Sequence, residues 1–418
     1  MLPIVEVLLL ALELSAALLV GYLLLLTGAA LQAPRSTPDI GTTASRFLIL
    51  IPAHNEERLL PGLLASLARL YYPPEHVHVH VVADNCFDKT VAIARAAGVT
   101  VHERRDVARP GKGPALDWVW QHLPADELFD AVVILDADSV VSANFLAVMA
   151  ARLARGERVV QAYYAVHHSR RSFAAGIRFA ALAAVHYLRP QGRMVLGGSA
   201  GLKGNGMMFA AGLAQRYHWA AELAEDIELH MRILLDGERV YFAPDAMVWA
   251  EMPDSLAASE SQHRRWEVGR LRLARRYVPH LLSAALSAMR SGQPRRAFVL
   301  FDAIMEHLIP PFAILVGGSA LLLFAALLAG AEWAAGLVAV STAVERLILL
   351  NLLLSLGLLA GEAGYLLAAL RQVQAPPSAY WQLMYAPVYI FWKVGQYLRA
   401  WLGQSEQAWV RTHRNDVS

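Results

Sequence analysis

The sequence predicts an α/β domain flanked by membrane helices, and three observations carry that reading. Long apolar runs lie on both sides of a middle region, strand-like and helix-like segments alternate between them, and the composition is strongly apolar. Of 418 residues, 56% are hydrophobic, with a mean hydropathy of +0.38. Such a composition fits an integral membrane protein with one sizeable soluble domain. The net charge of +2 gives a nucleic-acid partner no electrostatic support. The single cysteine, Cys86, excludes an intrachain disulfide framework and a cysteine-based zinc cluster, and it suits a reducing compartment.

Leu2 to Leu31 form one apolar run, long enough to cross a hydrocarbon core of roughly 30 Å. It has no basic n-region and no A-x-A-like cleavage site, so residues 1–32 read as an anchor, not a cleaved signal. Glu6 and Glu13 within it are expected to face other helices or an interface. No lysine or arginine precedes the run, whereas Arg35 and Arg46 follow it. The positive-inside rule therefore puts the N-terminus outside and the next domain in the cytoplasm.

A second apolar block begins near Phe298. Ala303 to Gly330 reads as one span, kinked near its start by Pro310-Pro311. A turn without lysine or arginine follows at Ala331-Glu332, and the second half of Trp333 to Leu370 reads as the returning span, closed by Arg371. Residues 271–300 are then an interfacial linker helix and residues 301–371 hold two spans. Tyr380 to Leu402 mixes Tyr and Trp with Lys393 and Arg399, as a helix lying at the interface does. Three spans are expected, and a fourth at this last segment is the rival.

From Ser45 to about Trp249 the pattern changes. Arg46 to Ile51 is a short apolar run stopped by Pro52, Val77 to Ala83 a second strand, and Val99 to His102 and Ala131 to Leu135 further strands. Helical patterns lie between them at Glu56 to Leu70, Val91 to Ala97 and Ala115 to His122. The alternation implies a mostly parallel sheet with ligands at the C-terminal strand ends. No G-x-G-x-x-G follows the first strand and no Walker A sequence occurs, so the usual dehydrogenase and P-loop phosphate loops are missing.

Several polar groups stand where this pattern would put a site. Asp136 and Asp138 follow the apolar strand and can aim two carboxylates into one crevice, as hard ligands for Mg²⁺ or Mn²⁺. Solvated turn acids capping the next helix are the alternative. Asp84 ends the second strand and can accept hydrogen bonds from a base or ribose; Asp88 suits a helix N-cap before Thr90. Lys112 lies in Gly111-Lys112-Gly113 ahead of a helix. Glu225-Asp226 opens an acid-rich helix, where dipole complementation is the plainer explanation. In Gln262-His263-Arg264-Arg265-Trp266, Arg265 can grip a diphosphate and Trp266 offers a flat face to a sugar. A basic interfacial helix is the competing view, since Arg270, Arg272, Arg275 and Arg276 follow closely. Gly197-Gly198-Ser199 and Gly204-Asn205-Gly206 let backbone approach a ligand.

Taken in order, Asp84, Asp136-Ala137-Asp138, Glu225-Asp226 and Gln262 to Trp266 resemble the D, D-x-D, E-D and Q-x-x-R-W motifs of the membrane-embedded family-2 glycosyltransferases. That group includes cellulose, hyaluronan and chitin synthases and ceramide glucosyltransferase. The resemblance is clearest over residues 46–270 and implies a cytoplasmic GT-A-type domain that binds a nucleotide-sugar. It implies inverting, metal-dependent transfer of a hexosyl or N-acetylhexosaminyl group from a donor that is UDP-linked. Asp226 would be the base with Glu225 in support, although the triplet here is Ala224-Glu225-Asp226 and lacks the family's threonine. Ala53, His54, Glu56, Asp84 and Lys112 would contact the nucleotide, Asp136 and Asp138 the metal and diphosphate, and Gln262 and Trp266 the acceptor. Trp409 to Arg414, in the segment 380–418, resembles a W-x-x-T-x-R gating loop, in which Thr412 and Arg414 would reach the nucleotide. The implied setting is a bacterial plasma membrane, with lipid around the spans. A growing polysaccharide is the expected acceptor, which with three spans calls for a homo-oligomer or an accessory export subunit. A membrane lipid acceptor is the alternative, and a non-catalytic nucleotide-sugar sensor a further one.

Overall fold

The structure is a computed structural model that describes residues 2–34, 45–124, 127–166, 173–217, 225–250, 256–336 and 341–401. The side chains of residues 2, 173–175, 256–268 and 396–401 lie outside that description. The chain divides into two compact units, one drawn from Met1–Gln32, His168–Gly192 and Met305–Arg411, the other mainly from Ala33–His167 and Arg193–Ile304.

The second unit is built on an eight-stranded sheet. Its strands are β1 (Phe47–Ala53), β2 (Val77–Asp84), β3 (Thr100–Arg104), β4 (Ala131–Ile134), β5 (Ser139–Val141), β6 (Val159–Val166), β7 (Met207–Ala210) and β8 (Tyr241–Ala250), in the spatial order β3-β2-β1-β4-β7-β6-β8-β5. β1 pairs in parallel with β2 and β4, β2 with β3, and β6 with β8. β4 and β6 both pair antiparallel with β7, and β5 with β8. The sheet is therefore mixed, where a mostly parallel one was expected. The strand–helix alternation describes the β1–β4 half, while the other half is closed by returning strands without that signature.

β1 is wholly apolar, and Phe47 to Ile51 are all fully buried, as a strand covered on both faces requires. Pro52 does not stop it: the register with β2 continues through Pro52 opposite Val82 and Ala53 opposite Ala83. Helices Leu60–Leu67 and Phe145–Ala154 cover one face, where Leu63, Phe145 and Met149 pack on Ile49, Ile51 and Val133. Helices Glu225–Leu235, Leu256–Arg290 and Pro294–Leu308 form a separate core through Met231, Leu234, Tyr277, Leu281 and Leu300.

Among the described residues the first unit holds three helices long and apolar enough to cross a membrane: Pro3–Leu31, Phe312–Ala334 and Thr342–Gln372. Pro310-Pro311 separates two helices where a kink within Ala303 to Gly330 was expected. Helix Pro294–Leu308 ends before the pair, and Pro311 caps the next helix with φ −50°. Two successive residues without N–H groups cannot be carried inside one hydrogen-bonded ladder. The returning helix occupies 31 residues with Arg371 in its last turn. Beyond it lie helices Pro377–Gln382 and Ala386–Trp401.

Glu6 and Glu13 both face the helix Thr342–Gln372. Asn351 Nδ2 donates to Glu6 Oε2 at 2.8 Å, and Ser355 Oγ donates to Glu13 Oε1 at 2.6 Å. Residues 173–192, which the pattern assigns to the α/β domain, cluster instead with the long apolar helices. Ala183, Ala184 and Leu188 share a core there with Val20, Leu23, Leu358 and Tyr365.

Candidate active site

The site is assembled at the C-terminal ends of β1, β2 and β4. Past Ala53, His54 Nδ1 donates to the Asp84 carbonyl at 2.7 Å. The Glu56 N–H donates to Thr90 Oγ1 at 2.7 Å and the Glu57 N–H to Asp88 Oδ2 at 3.0 Å. Asp88 also accepts from the Thr90 N–H at 3.0 Å, but the N-cap of the helix Thr90–Ala96 is Lys89, one residue later than its position suggested. Burial works against its ionised form, but the bonds from Thr90 and Glu57 outweigh this and hold it below the usual carboxylate range.

Asp84 is 3% exposed and already bound on both oxygens. Arg104 Nη1 donates to Oδ1 at 2.5 Å and the Gly111 N–H to Oδ2 at 3.0 Å. It thus ties β2 to the turn carrying Lys112. Arg104 was not singled out from sequence; an arginine ending the strand next to Asp84 was the available signal.

Asp136 and Asp138, in the turn between β4 and β5, are partly exposed, while Ala137 and Ser139 are buried, and the charges of both acids act on Tyr164. The Asp136 N–H donates to Asn205 Oδ1 at 3.1 Å, and Asn205 Nδ2 donates to Ser139 Oγ at 2.7 Å. The fully buried Asn205 thereby fixes the D-x-D turn against the 204–206 loop. Gly206 has φ +68°, and a Cβ there would lie 2.7 Å from Val248 Cγ2, so only glycine fits this crossing.

Lys112 joins the acids. Its Nζ lies 2.5 Å from Asp136 Oδ1 and donates also to the Gly204 carbonyl. Burial alone would lower its pKa, but Asp136, Glu225 and Asp226 reverse this and raise it. Glu225 and Asp226 start the helix Glu225–Leu235, and a Cβ on Gly204 would sit 3.4 Å from Asp226 Oδ2. Burial, reinforced by Asp226, pushes Glu225 up to about 7. Burial also raises Asp226, against the opposing pull of the Ile227 N–H, Lys112 and Lys203. Tyr164 on β6 belongs to the same centre: burial, then Asp136 and Asp138, push its phenol well above the ordinary range. Tyr164 and Lys203 carry no motif that would have marked them.

The structure thus brings Lys112, Asp136, Glu225 and Asp226 together, with Ala53, His54, Glu56 and Asp84 on the adjoining strand ends. Gln262, Arg265 and Trp266 lie in the helix Leu256–Arg290, but their side chains fall outside the described residues, as do Thr412 and Arg414 entirely. Among the described residues no three His, Cys, Asp or Glu side chains converge on a metal position.

Residues 44–269 match the family model described as glycosyltransferase like family 2, a stretch exceeding half the chain. The chain belongs to this family. It is 25% identical over 232 residues to the "Probable glycosyltransferase YdaM" of Bacillus subtilis, covering 53% of this chain and 54% of that one. It is 26% identical over 290 residues to a beta-monoglucosyldiacylglycerol synthase of Synechocystis, covering 67% of this chain and 58% of that one. The chain therefore spans little more than half the length of these curated relatives. Among solved structures, the mannosyltransferase PcManGT of Pyrobaculum calidifontis, in complex with GDP-Man and Mn²⁺, shares the fold with a TM-score of 0.53. That match is 22% identical and covers 88% of this chain and 97% of the other.

Proposed function

We propose that this family-2 member transfers a sugar from a nucleotide-sugar donor, with inversion, to an acceptor hydroxyl at a membrane. The observation that carries the reading is the meeting of Asp136, Lys112, Glu225 and Asp226 at one glycine-bearing loop. In-line displacement needs one carboxylate to take the acceptor proton as the diphosphate leaves, and Asp226 is the base. Glu225 beside it restrains the pair's ionisation. His54 and Glu56 hold the nucleoside over Ala53, and Asp84, buried against Arg104, positions the turn that carries Lys112. The Q-x-x-R-W residues Gln262, Arg265 and Trp266, and the tail residues Thr412 and Arg414, keep the diphosphate and acceptor roles their motifs imply.

Asp136 and Asp138 would hold Mg²⁺ or Mn²⁺. Their oxygens are hard donors and number too few for an all-protein cage, which suits a cation that binds one or two carboxylates plus substrate phosphates. When bound, such a cation neutralises charge developing on the leaving diphosphate. The neighbour from Pyrobaculum, described with GDP-Man and Mn²⁺, supports this donor chemistry.

For the acceptor we favour a membrane lipid over a growing polysaccharide. The Synechocystis relative, 26% identical over 67% of this chain, bears a glycolipid synthase's name. The test is nucleoside-diphosphate release by purified protein in lipid nanodiscs, across UDP- and GDP-sugars with Mg²⁺ or Mn²⁺. A single sugar on extracted lipid is expected, with turnover down about 10²- to 10⁴-fold in Asp226→Asn. A ladder of long products would establish a polymer synthase. Donor binding without turnover on any acceptor would leave a sensor.

A further inference from the structure

The ammonium of Lys112 touches two hard oxygens, Asp136 Oδ1 at 2.5 Å and the Gly204 carbonyl, and is drawn also by the charges of Glu225 and Asp226. This is the environment a divalent cation would seek. Lys112 is only 20% exposed, and Asp136 is anchored through its own N–H to Asn205 Oδ1 at 3.1 Å. The Asp136 main chain is thus fixed beside the lysine, and its carboxylate is already neutralised by the ammonium.

We propose that Lys112 occupies the metal's place in the donor-free protein, so that metal enters only together with a diphosphate. The inference rests on the nucleotide-sugar reading above and adds an order of binding to it. Alone, a divalent ion would have to displace a neutralising ammonium from Asp136 for the sake of two carboxylates. A diphosphate changes the balance, because it brings phosphate oxygens to complete the ion's coordination. It also offers the released ammonium a new anionic partner. The lysine suits this exchange: it is a compact point charge on a flexible four-carbon stem, and it follows Gly111, whose φ of +117° sets the turn. The swap exchanges one cation at Asp136 for another, and it keeps the acidic centre from collecting metal without donor.

The test is electron paramagnetic resonance titration of Mn²⁺ on the full chain in lipid nanodiscs, with and without UDP. It compares wild type with Lys112→Met, Lys112→Gln and Lys112→Arg. Without UDP, wild type and Lys112→Arg should bind Mn²⁺ weakly, and both neutral variants at least about tenfold more tightly, because removing the competing charge leaves the carboxylates to the metal. With UDP, wild type should gain more affinity than the neutral variants, because only wild type has an ammonium to hand over to the diphosphate. Two neutral side chains of different shape are used so that one decides if the other misfolds. Neutral variants that bind Mn²⁺ no better than wild type without UDP overturn the inference. A gain in those variants without any effect of UDP on wild type upholds the competition at Asp136 while removing a UDP-linked donor.

Discussion

At the residue scale the centre is governed by one opposition: burial raises Glu225 and Asp226, while Lys112 resists in both and Lys203 also in Asp226. A base must be ionised to act, so a raised pKa means that activity is lost on the acid side sooner than for an ordinary carboxylate. The acid limb of kcat/KM, set by Asp226, should therefore lie above the ordinary carboxylate range. Lys203 lowers Asp226, so Lys203→Met should move that limb to still higher pH, which a pH–rate profile measures directly. Arg104 makes a second test. It is 2% exposed against Asp84, and Arg104→Leu would leave that carboxylate buried beside only the Gly111 N–H and Asn85. Losing one partner of a buried pair costs about 3–5 kcal/mol, so the thermal midpoint should drop and Asp84→Asn should restore part of the loss.

At the scale of elements, the apolar helices meet through chosen small and polar residues. A Cβ on Gly192 would lie 2.2 Å from the Leu26 carbonyl oxygen, a backbone atom that cannot rotate away. Gly192→Ala should therefore force the helix Pro3–Leu31 outward at about 1–3 kcal/mol, read as a lower melting point in detergent or nanodiscs. Gly364→Ala meets nothing within 4 Å and should be neutral or stabilising. Glu362 makes a third such contact, its Oε1 accepting from Ser319 Oγ at 2.8 Å. The three glutamates thus each face a neighbouring helix, as carboxyls in apolar segments do.

At the scale of the whole molecule, the distribution of charge predicts an orientation that labelling can test. The turn after the helix Phe312–Ala334 lacks lysine and arginine, while Arg371 closes the next helix. The one cysteine is buried, which permits single-cysteine labelling without background. Glu332→Cys should react with an impermeant maleimide on intact cells, and Arg109→Cys only after permeabilisation. The reverse pattern would invert the assigned topology.

The sequence by itself determined the apolar helices, the parallel β1–β4 half of the sheet and the order of the acidic motifs. Each is a local pattern: a run of apolar residues, a buried strand before a polar turn, two carboxylates two residues apart. Only the tertiary structure decided that Lys112 meets Asp136 from 24 residues away, and that Asn205 fixes the Asp136 N–H across 69. It alone turned β5 to β8 into a mixed sheet and drew residues 173–192 in among the apolar helices. The reason is physical. Periodicity reports which face of an element is buried, whereas strand direction and the pairing of distant charges depend on which other element covers that face.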